Sequence, residues 1–144
     1  MAATKASGGF GTLLKIGDGE VSETFSTIAE VYEINPPATS LGTADATHME
    51  SPAGYMEKIA TLLETSAVEV DLNFVGGDSS HALLRTDHAA KTLRNFEIHT
   101  PDGAYKWEFA AFVTNIGQTT PKDDRMSTPV TLTPSGPVTH GATA

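Results

Sequence analysis

Ser79, Ser80, His81, Asp87 and His88 crowd one short segment and are the side chains whose types could do chemistry. A serine, a histidine and an aspartate are the parts of a nucleophilic triad, in which the imidazole takes the hydroxyl proton and the carboxylate orients the imidazole. No G-x-S-x-G elbow surrounds either serine, and Asp78 or Ser79 stands where a helix N-cap is expected. His81 and His88 are seven residues apart, two turns along one helix face, which is not the H-x-x-x-H spacing that sets two imidazoles on one zinc ion. The segment reads as a cap followed by a solvated helix face. His48, His99 and His140 are scattered, and Asp123-Asp124 sits beside Lys122 and Arg125 as a solvated corner rather than an acid/base pair. Gly9, Gly11, Gly17 and Gly19 faintly echo a phosphate loop, but a strand pattern follows where a phosphate loop needs a helix. The residues offer no catalytic, cofactor-binding or metal-binding set, so the expectation is a protein that is not an enzyme.

The elements that would position any site are mostly strands. Leu93 to Gly117 reads as a hairpin around the turn Pro101-Asp102-Gly103, in which proline presets φ, aspartate bonds local backbone and glycine takes the left-handed position. Phe96 and Ile98 alternate with polar residues before the turn, and Trp107, Phe109, Ala111 and Val113 do so after it. The hairpin holds the only tryptophan and three of the six phenylalanines, which centres the core here. Phe112 falls on the wet face and needs a cover from the same chain or another copy. Ala67 to Phe74 is a clean strand with Val68, Val70, Leu72 and Phe74 on one face and Glu69, Asp71 and Asn73 on the other. Gly76-Gly77 ends it, and a helix runs on to about Ala89 or Ala90 with Ala82, Leu83 and Leu84 as its apolar face. Phe10 to Ile16 is expected as a short strand, Thr24 to Ile34 as one long strand, and Arg125 to Thr133 as the last strand, with Pro129 marking an edge or a bulge. Residues 35–66 are expected as a long connection, in which Ala44 to Met49 could be a strand and Tyr55 to Leu63 either helical or irregular. Tyr55, Met56 and Ile59 would be awkward in water, which favours an interaction arm. Residues 1–9 and 134–144 read as extended arms around one domain spanning 1–144.

The length of 144 residues suits one domain able to bury a core without staples, and cysteine is absent, which excludes disulfides and thiol chemistry. No apolar run approaches the roughly 20 residues of a membrane span, and the N-terminus lacks a signal-peptide core, so an intracellular site of synthesis and no membrane partner are expected. Nine basic residues against eighteen acidic ones give a formal net charge of −9, with no basic cluster inside it. That balance argues against gripping nucleic acid and suits a surface along which nucleic acid slides.

Three segments in this order carry a resemblance: GTLLKIGDGEVSETFSTIAEVYEI (11–34), the connection and acidic strand (45–74), and LRNFEIHTPDGAYKWEFAAFVTNIG with PKDDRMSTPVTLTPSG (93–136). Together they resemble the tail tube proteins of phages with long, non-contractile tails (siphophages). The resemblance implies a mainly β, sandwich- or barrel-like fold with one α-helix flanking the sheets and a long inter-strand loop. It implies subunits that form hexameric rings, closing six sheets into one inner barrel, and rings that stack into a tube. The implied partners are further copies of the chain, a tape-measure protein and tail tip and terminator proteins, with DNA passing through the bore unbound. The implied location is the virion tail, after synthesis in the host bacterial cytoplasm. Some relatives append an immunoglobulin-like domain, which a chain ending at Ala144 is expected to lack. On this footing Glu30, Glu33, Glu69 and Asp71 are the lumen candidates, with ordinary surface solubility as the plainer reading. Tyr55, Met56, Ile59 and Phe112 are the candidates for ring and stack contacts. Two alternatives stay open: the tube subunit of a contractile or secretion machine, and a monomeric β-sandwich that binds carbohydrate or peptide. The latter would want an exposed aromatic platform, whereas the ten aromatics lie mostly at core-parity positions.

Overall fold

The computed structural model describes residues 3, 4, 6 and 8–142. In chain order the elements are β1 (Leu13–Gly17), β2 (Phe25–Thr27), β3 (Val31–Asn35), β4 (Thr39–Asp45), β5 (Lys58–Thr65), β6 (Val68–Asn73), α1 (Ser79–Ala90), β7 (Leu93–His99), β8 (Tyr105–Ile116), β9 (Ser127–Pro134) and β10 (Thr139–Ala142). The main sheet runs β2-β1-β7-β8-β9-β6-β3, and β10 pairs with β8 beside this path. Every described pairing is antiparallel.

The two outermost strands of that path, β2 and β3, are consecutive in sequence and joined only by Ile28, Ala29 and Glu30. Laid flat, seven strands would hold their outer members roughly 29 Å apart, six spacings of about 4.8 Å. The link can reach only about 14 Å even when extended. The sheet must therefore curl on itself, and β1 does come against β3. The result is a barrel-like sandwich filled by Leu14, Ile16, Val70, Leu72, Phe96 and Leu132 among others.

Alternation decides what fills it. Val68, Val70 and Leu72 of β6 point inward and are buried, while Glu69 is exposed; Thr128, Val130 and Leu132 do the same on β9. Phe96 of β7 lies opposite Phe109 of β8, and the two rings stack with centroids 5.8 Å apart. The β7–β8 turn closes as its residues dictate: Gly103 has φ 73°, its N–H donates to Thr100 O at 2.9 Å, and the Asp102 carboxylate accepts from Ala104 N at 3.0 Å.

Several elements differ from the sequence expectation, each for a physical reason. Residues 24–34 are two strands, because Glu30 turns the chain at φ 63° and sends β3 to pair with β6 rather than with β1. The change of side-chain parity along the segment, with Phe25 and Val31 against Ile28, Tyr32 and Ile34, follows from this turn. The first strand starts at Leu13, and Phe10 is exposed. Tyr55 to Leu63 is neither helical nor irregular throughout: the long connection over 35–66 is built as the antiparallel hairpin β4–β5. Pro129 lies in the central strand β9, not at an edge; its carbonyl accepts from Gly117 N at 3.1 Å just past the end of β8, and the ring removes only the reciprocal N–H bond to Gly117. The tail folds back as β10 instead of extending as an arm, and Tyr105 O–H is hydrogen-bonded to His140 Nδ1 across that pair. Parts of both expected terminal arms, residues 1, 2, 5, 7, 143 and 144, lie outside the described residues.

The outward face of β7 and β8 sets Glu97 directly opposite Glu108. Lys106 resolves the repulsion by pairing with Glu97 at 3.2 Å and with Glu108, and His99 reaches Glu97 at 3.3 Å. The hydrogen bond from Lys106 holds Glu108 below the usual glutamate range, and the bond to Glu108 raises Lys106 above the usual lysine range. Glu108 thus stabilises the fold above the ordinary glutamate pKa of 4.5, and that contribution is lost as pH falls through its lower folded value. The Lys106 contribution is complete below 10.5 and is lost as pH rises through its higher folded value. A melting series against pH should show a plateau between these limits with a decline on each side, and Lys106→Met should lower stability at pH 7 by about 1 kcal/mol. Leu132→Ala, in the closed core, should cost roughly 2–5 kcal/mol in urea unfolding.

Candidate assembly interface

The serine–histidine–aspartate segment is built into α1 and does structural work. Asp78 caps the helix, accepting from Ser80 N at 2.9 Å and His81 N at 3.3 Å, and a hydrogen bond from the Ser80 hydroxyl leads the causes that lower its pKa. His81 is buried, against the expectation of a solvated face: its Nε2–H donates to Ala29 O at 2.7 Å, while Ala29 N donates to the Ser80 hydroxyl at 3.2 Å. The helix N-terminus thereby holds the turn that separates β2 from β3. Asp87 is buried as well and takes Arg94 Nε at 2.8 Å, with Arg94 continuing to Gly17 O at 3.3 Å. His88 Nδ1–H donates to Val113 O at 2.8 Å. The buried stripe of the helix is therefore His81, Leu84 and Asp87, and Ala82 is exposed. Each histidine of the helix is spent on a backbone carbonyl, which leaves no imidazole aimed at a serine hydroxyl. Among the described residues, no cluster of three or more His, Cys, Asp or Glu side chains could hold a metal ion.

What remains is surface. Glu33 lies directly opposite Asp71, and Glu69 opposite Asn35, on the β3–β6 pair. Glu30 sits at the turn into β3 and accepts from Asn73 Nδ2 at 3.2 Å. The fold thus brings all four acidic candidates onto one face, with Glu33 and Asp71 as a like-charged cross-strand pair.

The hairpin β4–β5 forms its own two-stranded sheet and makes no substantial packing contact with any other element. Its root is tied by Ser66 N to Ala38 O at 2.7 Å and Ala38 N to the Ser66 hydroxyl at 3.0 Å. Register places Leu41 opposite Leu63 on one face and Ala44 opposite Ile59 on the other, because β5 carries one extra residue where Thr61 and Leu62 face Gly42. Tyr55 and Met56 are exposed just before β5. The register shifts between Leu41 and Thr43, and a Cβ at Gly42 would stand 2.5 Å from Thr61 Oγ1 and 3.2 Å from Leu62 O, so the bulge needs glycine. Sequence reading found Ile59 but missed Leu41 and Leu63, because the adjacent pair Leu62-Leu63 masks the period of two. Phe112 is 36% exposed on the outer face of β8, and its cross-strand partner Leu93, 48% exposed, was also missed. Two-stranded hairpins are marginal in water, and apolar faces of this kind mark contacts between molecules.

Comparison with known proteins gives the fold and the family. A chain in the virion of a native gene transfer agent shares the fold at TM-score 0.74 and 18% identity, over 96% of this chain and 100% of that one. A chain in the tail of an empty gene transfer agent particle, computed with helical refinement and C6 symmetry, does so at 0.74 and 21%, over 96% and 100%. A chain of the anti-feeding prophage baseplate, 6-fold symmetrised, does so at 0.75 and 9%, over 97% of each chain. No curated protein sequence matches. Residues 14–141, from β1 to the last strand, match the lambda phage tail tube protein family, and the chain belongs to that family.

Proposed function

We propose that this tail tube subunit closes into six-membered rings that stack head to tail. In this reading the β3–β6 acidic face carrying Glu30, Glu33, Glu69 and Asp71 lines the bore, and the β4–β5 hairpin with Tyr55, Met56 and Ile59 joins copies. The tube then encloses a tape-measure protein in the assembled virion and later passes DNA, with tip and terminator proteins at its ends and no catalysis of its own. The observation that carries the reading is the hairpin: exposed apolar side chains on a two-stranded sheet, held away from the protein's own core, find burial in a neighbour. The net charge of −9 supports the bore, since a negative channel repels phosphate and keeps DNA from sticking. The six-fold symmetry of the similar particles supports the ring count.

Negative-stain microscopy of the concentrated protein should show hollow tubes or six-fold rings, and deletion of 36–66 should leave a monomer with an intact cooperative melt that forms neither. Tubes from the deleted protein, or loss of its melt, would sink the arm reading. Because the chain has no cysteine, Asp71→Cys gives a single thiol for a gold cluster. Gold density on the tube axis is the expected result, and density on the outer rim would move the acidic face out of the bore.

A further inference from the structure

Helix α1 closes one end of the barrel. It reaches Ala29 through His81, the end of β1 at Gly17 through Asp87 and Arg94, and the later half of β8 at Val113 through His88. At the opposite end of the same strands a cavity of about 780 Å³ opens along the seam between β1 and β3. That size falls within the roughly 300–1,000 Å³ of small-molecule sites, which favour the mouths of β-barrels. Leu13 at the start of β1, Ile34 near the end of β3 and Trp107 near the start of β8 form its apolar wall, with Pro36 and Pro101 beside them. The wall is continuous with the core, since Ile34 and Trp107 pack against the buried cluster.

Three aromatic residues line this one cavity, Phe10, Tyr32 and Trp107, and among the described residues Glu33 is the one charged side chain with them. The two hydroxyls of the lining are already committed. Thr12 donates to Gly9 O at 2.8 Å, and Thr100 donates to the Asp102 carboxylate at 2.7 Å while accepting from Tyr105 N at 3.2 Å. A guest that must make many hydrogen bonds is therefore poorly served. A quaternary ammonium makes none: it presents its charge through methyl groups, which aromatic faces attract electrostatically and a carboxylate at the rim balances. The Tyr32 ring already takes one cation, the Arg125 guanidinium 4.0 Å from its centre, so Trp107 and Phe10 are the rings left for a guest. Phe10 stands fully exposed beside the cavity and would gain cover. The net charge of −9 favours a cation over an anion as well. We infer that the open end of the barrel binds a quaternary ammonium group, held by Trp107 and Phe10 with Glu33 as its counter-ion. The site lies within one subunit, so it goes beyond the ring-and-stack reading and does not depend on it.

Trp107 is the only tryptophan, so its fluorescence reports on the cavity alone. Choline and trimethyl-lysine are titrated into the free subunit at constant ionic strength. Two matched probes run beside them: dimethylbutanol, the uncharged carbon isostere of choline, and ethanolamine, its unmethylated counterpart. The expected result is a saturable change with a methylated ammonium, and binding about tenfold weaker for both matched probes. The tighter of choline and trimethyl-lysine tells a choline-type small molecule from a methylated protein as the source of the group. Glu33→Gln and Phe10→Ala change exposed side chains and should leave the melt as in the parent, while each weakens binding several-fold. A response that never saturates would overturn the site. Equal binding of dimethylbutanol would do the same, since it would show an apolar hole indifferent to charge, and so would binding unchanged in both variants. None of these outcomes turns on whether tubes form, so the site and the tube reading stand or fall separately.

Discussion

The constraint on which the fold depends is the short link between β2 and β3. Three residues join the two outer strands of a seven-strand path, so the sheet has no flat alternative. Curling encloses one face of the seven-strand path, which is why its inward set reads mainly as Leu, Ile, Val and Phe, with Thr128 as a buried polar member. The link is held at Ala29 by both His81 and Ser80, so the helix N-terminus and the barrel closure are one device. The side chains that most resemble a catalytic set are thereby explained by architecture.

Strand β8 is the second organising feature. One side pairs with β7; the other pairs first with β10 along Tyr105–Glu108 and then with β9 along Ala111–Ile116. A strand shared in this way belongs to both layers, and the register shift between Val113 and Asn115 lets it bend from one to the other. Phe112 stands next to that shift.

Much of this was legible in the residues. The β7–β8 hairpin, the β6 alternation and the Asp78 cap follow from local rules, and each was found where local chemistry alone decides the outcome. The division of 24–34 was half visible: mixed parity signalled an irregularity, but that β3 crosses to the far edge depends on the tertiary bond from His81 to Ala29. Buried His81 and Asp87 were misread as solvated because polar residues at helical spacing carry no sign of their partners, here a carbonyl and Arg94. Pro129 misled because the cost of a missing N–H depends on where the neighbouring strand stops. For the candidate surfaces, strand parity put Glu69 and Asp71 on one exposed face, and only the β3–β6 register brings Glu33 beside them; the placement of the hairpin's apolar residues was hidden by the bulge opposite Gly42, which divides Leu41 and Leu63 from Ala44 and Ile59.

The separation of the hairpin from the barrel has a mechanical meaning. The body is a curled sheet whose inner strands are hydrogen-bonded on both sides, and the hairpin leaves it through a narrow proline-bearing root, Pro36 and Pro37 on one side and Ser66 on the other. If the arms join copies as proposed, the barrels of such a filament act as stiff segments and the slender arms as the joints. Curvature is then absorbed by small rotations at many joints, so the wall of each ring keeps its shape while the whole tube flexes.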